Sequence, residues 1–313
     1  MCGMAAAAPA LSSCGFLNGS SNAEASRAEQ GSITVGTMPI VGAAPLSRAV
    51  SEGYFARSGL DVRTSKIRSG AVAVPSLVNG DMHVTFGNYV SFIAAKAQGI
   101  DVSIIAEGSR AAEGNFAVAV LPDSSFREPS DLRGTTIGVN ARNNIATLTT
   151  SSVLLSHGIT PEDVNYVEIG FPEMALALER GQVDAAFLPE PFLTDAKVSL
   201  GVQTLLDPCS GATEGLPIDG YAVMSEFART NPNTVRSFQQ GLLPAQRDCQ
   251  DRTLLQPQLV TSAKVSNDIA ALVSQSVYPT SLNTVGLQRV ADLMVQFGVL
   301  RQPVDVASMV ITT

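Results

Sequence analysis

Along residues 31–224, short apolar runs alternate with longer segments whose apolar positions recur every third or fourth residue. The runs read as strands and the longer segments as helices. Ile33 to Thr37 predicts a strand that ends in the small-residue loop Met38 to Gly42. Pro45 suits a first helical turn, and Leu46, Ala49, Val50 and Tyr54 share one face of a helix that Gly59 stops. Further strands follow at Leu60 to Thr64, Met82 to Phe86 and Asp101 to Ala106, separated by helices over Ala71 to Val78 and Val90 to Ala97. Asn115 to Leu121 is apolar throughout and reads as a buried strand. Thr135 to Val139 is another strand, running through Asn140 to Asn144 into a helix with Ile145, Leu148, Ser152 and Leu155 on one stripe. After the apolar run Tyr221 to Met224 the chain turns helical: Pro232 to Gln250, Leu254 to Ala263, Val265 to Val277 and Thr284 to Phe297. Alternating strands and helices joined by short loops predict mostly parallel sheets flanked by helices.

The pattern repeats. Thr34-Val35-Gly36 returns as Thr136-Ile137-Gly138, Leu77-x-x-Gly80 with Phe86 returns as Leu178-x-x-Gly181 with Phe187, and Gly59-Leu60 returns as Gly158-Ile159. Three matches in order at nearly constant offset predict two similar α/β lobes. The expected division is lobe one over 31–118, lobe two over 119–221, and a return to lobe one over 222–313 with the helical tail packed on it. Two crossings between lobes make a hinge.

Composition narrows the chemistry. The chain has 313 residues, is 45% hydrophobic and 15% charged, and carries a net charge of −8, which argues against a nucleic-acid partner. With only His83 and His157, no multi-histidine metal site is expected, and no cofactor is implied. Leu11-Ser12-Ser13-Cys14 resembles a bacterial lipobox in which Cys14 is lipidated, although no Lys or Arg precedes Arg27 to supply a basic leader. On that reading 1–14 is the remnant of a signal, 15–32 a flexible tether rich in Gly, Ser, Ala and Asn, and the folded part a monomer held outside the cytoplasmic membrane. Cys209 and Cys249 either pair in that oxidising compartment or are two separate buried thiols.

Two open α/β lobes place the C-terminal ends of their strands around a shared cleft, where ligands bind in such sheets. The loops there are Met38 to Val41, Arg68 to Gly70, Gly87 to Tyr89, Asn140 to Asn144, Phe171 and Pro189 to Phe192. They offer amide, hydroxyl and backbone groups rather than a nucleophile beside a base, so binding without catalysis is expected. Asn143 or Asn144 caps a helix whose N-terminus favours an anion. Arg142 either clamps that anion or is a solvated loop arginine. Glu190 either meets a ligand amine, pairs with Arg142, or begins a helix. Asn88, Ser69 and Gly70 are read as ligand contacts, with Gly87 letting backbone approach the solute. Tyr89, Phe192 and Tyr221 either stack on a flat ligand or belong to the core. His83, His157 and Asp184 are read as structural.

The arrangement resembles the type II periplasmic-binding-protein fold, and within it the solute-binding proteins of ABC importers in the sulfonate, taurine, nitrate and thiamine-pyrimidine group. The residues that carry the resemblance are Gly53-Tyr54-Phe55 with Gly59-Leu60, Leu77-x-x-Gly80 with Phe86-Gly87, Asp131-Leu132-Arg133-Gly134, and Ala177-Leu178-x-x-Gly181-x-x-Asp184-Ala185 leading to Glu190-Pro191-Phe192. It implies a small polar solute, anionic or zwitterionic, delivered to an ABC permease. It also implies ligand contacts at Met38, Pro39, Ser69, Gly70, Asn88, Asn140 to Asn144 and Glu190. The absence of Trp speaks against nitrate. An enzyme of the same fold, or a ligand sensor without transport, are the alternatives.

Overall fold

A computed structural model describes residues 1–3 and 27–311 of the chain; Cys14 lies outside them. The first part of the chain runs β1 (Ser32–Thr37), α1 (Ala44–Ser51), α2 (Tyr54–Arg57), β2 (Asp61–Lys66), α3 (Gly70–Val78), β3 (Val84–Asn88), α4 (Tyr89–Ala97) and β4 (Val102–Arg110). A second series follows: β5 (Phe116–Val120), β6 (Thr136–Val139), α5 (Ile145–Ser156), β7 (Asn165–Glu168), α6 (Phe171–Glu179), β8 (Ala185–Pro189), α7 (Phe192–Leu200) and β9 (Gln203–Leu206). The chain closes with β10 (Pro217–Met224), α8 (Ser225–Thr230), α9 (Pro232–Asp248), α10 (Arg252–Ala263), α11 (Asn267–Leu272) and α12 (Thr284–Gln296).

The strands form two five-stranded sheets ordered β2-β1-β3-β10-β4 and β7-β6-β8-β5-β9. The two orders are one topology used twice. In each sheet the fourth strand is antiparallel to both neighbours, and in each it is the strand that has just crossed from the other lobe. The internal repeat is therefore structural. Its glycines have a reason: a Cβ on Gly36 of β1 would lie 2.7 Å from Thr85 Oγ1, and one on Gly138 of β6 would lie 2.5 Å from Met174 Sδ. A side chain at either position would push a covering group off the sheet.

The lobe boundaries differ from those expected. Phe116–Val120 pairs with β8 and β9, and Pro217–Met224 pairs with β3 and β4. The crossings thus fall at 111–115 and 207–216, ahead of the expected cuts at 118/119 and 221/222. Both cuts would split a continuous strand. Its apolar character reports burial and carries no information about which sheet receives it. Other differences are local. The helix expected from Pro45 to Tyr54 breaks where Gly53 takes φ 67°. The expected helix Val265 to Val277 shrinks to Asn267–Leu272.

The tail covers lobe one as expected. Phe238 of α9 stacks on Phe55 at 5.2 Å and meets Tyr221 edge-on at 5.3 Å, all three buried. Tail elements also reach lobe two, where α11 packs on α7 and α12 on α5. Cys209 and Cys249 are both free and buried rather than paired. Burial pushes both thiols up, Cys249 to about 12, so neither is a reactive thiolate. His83 accepts the Thr34 backbone N–H through Nδ1 at 3.0 Å, a structural role. Among the described residues no helix is long and apolar enough to cross a membrane.

Candidate functional site

Each parallel strand at the facing edges of the sheets runs directly into a helix, so helix N-termini from both lobes gather where the lobes meet. The lobes touch there. The Val41 backbone N–H donates to the Glu190 carbonyl at 2.9 Å, and Asn140 Nδ2 donates to the Arg68 carbonyl at 3.4 Å. A groove of about 580 Å³ runs along α3 and α4 of lobe one and is reached from lobe two by Arg142 and Asn143; Met38, Ser69, Asn88 and Asn144 do not line it.

Three predicted side chains are N-caps. Ser69 Oγ accepts from Val72 N at 3.3 Å, Asn88 Oδ1 from Ser91 N at 3.0 Å and Ser91 Oγ at 3.1 Å, and Asn144 Oδ1 from Ala146 N at 2.9 Å. All three caps are buried. Each satisfies one or two N–H groups of a first turn and leaves the others free. The amide Nδ2 of Asn144 is buried with no partner of its own. Helices α1, α3, α4 and α5 carry no acidic residue in the first turn, whereas α6 has Glu173 and α7 has Asp195. The positive ends of four helices are thus left without an anion of their own. Gly70 and Gly87 are needed by each other rather than by a solute. A Cβ on Gly87 would sit 2.8 Å from the Gly70 Cα and 2.9 Å from Phe92 Cζ. Their close approach seats the start of α3 against the end of β3.

The remaining candidates separate. Met38 is buried and Pro39 half-buried at the end of β1. Arg142 and Asn143 are exposed on the groove, and Arg142 is held by its backbone N–H, which donates to Glu168 Oε1 at 2.8 Å. Glu190 is 1% exposed and meets no arginine. Its Oε1 accepts from Thr194 Oγ1 at 2.7 Å and from Ser274 N at 3.1 Å, and Oε2 accepts from Thr194 N at 3.1 Å. Burial raises its pKa against these bonds. The carboxylate therefore joins lobe two to the tail of lobe one and accepts from the first turn of α7; of its three readings, beginning a helix fits and pairing with Arg142 does not. Tyr89 and Tyr221 are both fully buried in lobe one, Tyr89 beside Phe92 and Tyr221 between Phe86 and Phe238. They are core rings, not a platform for a flat ligand. Phe192 is half-buried and stacks on Phe171 at 5.9 Å, at the starts of α7 and α6.

One residue at the site escaped the sequence reading. Asp219 in β10 is fully buried, pairs in register with Asn88, and accepts from Ser109 Oγ at 2.9 Å. Its signal was faint, a single acid in the otherwise apolar run from Leu216 to Val223.

The family model for NMT1/THI5-like proteins matches residues 42–252, a span that holds lobe two and most of the groove but leaves out β1, α11 and α12 of lobe one. The chain belongs to the NMT1/THI5-like family. Among curated relatives, the taurine-binding periplasmic protein of Escherichia coli (strain K12) is 29% identical over 257 residues, 76% of each chain. Among solved structures, the alkanesulfonate-binding protein SsuA from Xanthomonas axonopodis pv. citri bound to MOPS superposes with a TM-score of 0.78 at 18% identity, covering 90% of this chain and 99% of that one. The desulfurization enzyme DSZB also has this architecture, with a TM-score of 0.67 at 16% identity, covering 89% of this chain and 96% of its own. The family's two-lobed α/β fold is thus used both for binding and for catalysis.

Proposed function

We propose that the protein is an extracytoplasmic solute-binding protein that captures a small organic oxyanion or zwitterion between its lobes and hands it to an ABC permease. The observation that carries this reading is the set of helix N-termini without acids, with the unpartnered Asn144 amide among them. An oxyanion would accept from free first-turn N–H groups and from Asn144 Nδ2, and the helix dipoles favour its charge. Met38, Pro39, Ser69, Asn88, Asn140, Arg142, Asn143 and Asn144 form the proposed wall, with Gly70 positioning the start of α3 behind it. Export with a lipid anchor on Cys14 fits the lipobox-like run, and binding without turnover fits a wall of caps and amides. The curated relative is a periplasmic binding protein by name, which supports the same compartment and role.

Calorimetric titration with ethanesulfonate, propionate and ethylamine tests the charge preference. Either anion should bind and ethylamine alone should not; binding of the amine alone would overturn the reading. Asn144→Asp retains a good N-cap but sets a negative charge where the solute's would lie. Burying that charge should lower the melting temperature and, in the protein that stays folded, reduce anion affinity by about a hundredfold or more. Conversion of a bound solute to product would move the protein to the enzyme class.

A further inference from the structure

The helical pattern of Val265 to Val277 stops at Leu272, and residues 273–278 run as a strap without helix. The strap leaves α11, which packs on α7 of lobe two. It then joins lobe one, where the Arg110 N–H donates to the Val277 carbonyl at 3.1 Å and Tyr278 Oη donates to the Val41 carbonyl at 2.8 Å. It therefore passes between the lobes as the two covalent crossings do, and it is bonded to them. Crossing 111–115 is tied to 207–216 by the Ala111 N–H on the Leu216 carbonyl at 2.8 Å and the Gly114 N–H on Asp207 Oδ2 at 3.3 Å. The same crossing is tied to the strap by Asn115 Nδ2, which donates to the Ser274 carbonyl at 3.0 Å. Gly114 permits that approach: it takes φ 75°, and a Cβ there would lie 3.0 Å from Ser274 Oγ.

Glu190 closes the join into a ring. Its backbone N–H donates to the Asn115 carbonyl at 2.9 Å, Asn115 holds the Ser274 carbonyl, and the Ser274 N–H returns to Glu190 Oε1 at 3.1 Å. Capping of α7 accounts for the two bonds from Thr194. It does not account for the third donor, which comes from 84 residues further along the chain. Asn115 shows the same bias. Its side chain is fully buried and its Oδ1 has no partner, a cost that an apolar residue would avoid. The bond to Ser274 is what this amide supplies in return.

We propose that the hinge has three segments rather than two, and that Glu190 is the positioning residue that fixes strap 273–278 as the third. Two covalent crossings alone let the lobes twist as well as open, because each can turn about its own backbone dihedrals. A third point of attachment at the base of the cleft leaves one axis. The facing helix N-termini then stay in register in the empty protein, and closure brings the same groups together each time. Glu190 does this without touching a solute.

The test is hydrogen exchange read by mass spectrometry, with small-angle scattering, on the empty full chain. The variants are Glu190→Ala, Glu190→Gln and Asn115→Ala. In Glu190→Ala the strap amides at 273–278 should exchange about tenfold faster or more, and the radius of gyration should rise. Glu190→Gln keeps an oxygen for the Ser274 N–H, so its strap should exchange as in the wild type. Asn115→Ala should loosen the strap while leaving the first turn of α7 protected, and it reads the proposal even if Glu190→Ala does not fold. If Glu190→Ala frees the first turn of α7 alone, with strap and radius unchanged, Glu190 is only a helix cap and the proposal fails. Equal loosening of the strap in Glu190→Gln and Glu190→Ala also overturns it. Neither measurement uses a solute, so the result stands apart from the fate of the anion site.

Discussion

Arg142 and Glu190, the two charges the sequence singles out, have opposite environments. Arg142 is exposed and anchored through its backbone, and an exposed ion pair contributes roughly 0.2–1 kcal/mol. Arg142→Ala is therefore expected to weaken an anionic solute by no more than about fivefold, with the loss fading in high salt; titration at two ionic strengths measures both. Glu190 is buried and accepts three hydrogen bonds from Thr194 and Ser274. Glu190→Gln replaces one acceptor oxygen with a donor, costing about 1–3 kcal/mol of stability, measurable by urea denaturation, without altering solute preference. Asp219 gives a pH signature. Its folded pKa of about 8 lies above the unfolded value, so the folded state holds the extra proton and stability falls as pH rises through the interval between them. The melting temperature of Asp219→Asn should thus gain on the wild type from pH 5 to pH 8.5, and a constant difference would contradict this. The Asn143–Asn144 cap was legible, because a small polar residue before an apolar periodic run has few other uses, whereas Ser69 and Asn88 were read as ligand contacts and prove to cap α3 and α4. Asp219 was not, because a lone acid in a strand shows neither its burial nor which residue will donate to it.

At the scale of elements, signals were clear where burial was complete. Strand β5 is buried at every position and stood out as an apolar run. The edge strands β7 (Asn-Tyr-Val-Glu) and β9 (Gln-Thr-Leu-Leu) are half in water and carry no comparable run. They exist because β6 and β5 offer unpaired edges, a tertiary cause invisible in a local window. The Gly70–Gly87 contact is a junction of elements, and it yields a prediction. Gly87→Ala must displace either the start of α3 or the Phe92 ring, costing about 1–3 kcal/mol. Because the shift moves a helix N-terminus at the cleft, solute affinity should fall along with stability. An unaffected affinity would place that terminus outside the binding surface.

For the whole molecule, two crossings at 111–115 and 207–216 are the covalent links between sheets, and contacts such as Val41–Glu190 and Asn140–Arg68 span the space between lobes. A solute that contacts both walls binds the approached state more tightly and shifts the population toward it. The radius of gyration from small-angle scattering should therefore fall on saturation with a solute, and an unchanged radius would exclude lobe closure. The repeated glycines and helix–strand rhythm were enough to determine two similar α/β lobes, since turns at left-handed glycines and apolar periodicity are local properties of the chain. The cap of α5 at Asn143 or Asn144 followed for the same reason. Only the tertiary structure decided which sheet receives each crossing strand, that Cys209 and Cys249 stay apart, that Tyr89 and Tyr221 are core, and that Glu190 is bound by Thr194 and Ser274. Each of these depends on which distant residue arrives alongside, and a charge or thiol acquires its role from that neighbour and from the water it loses.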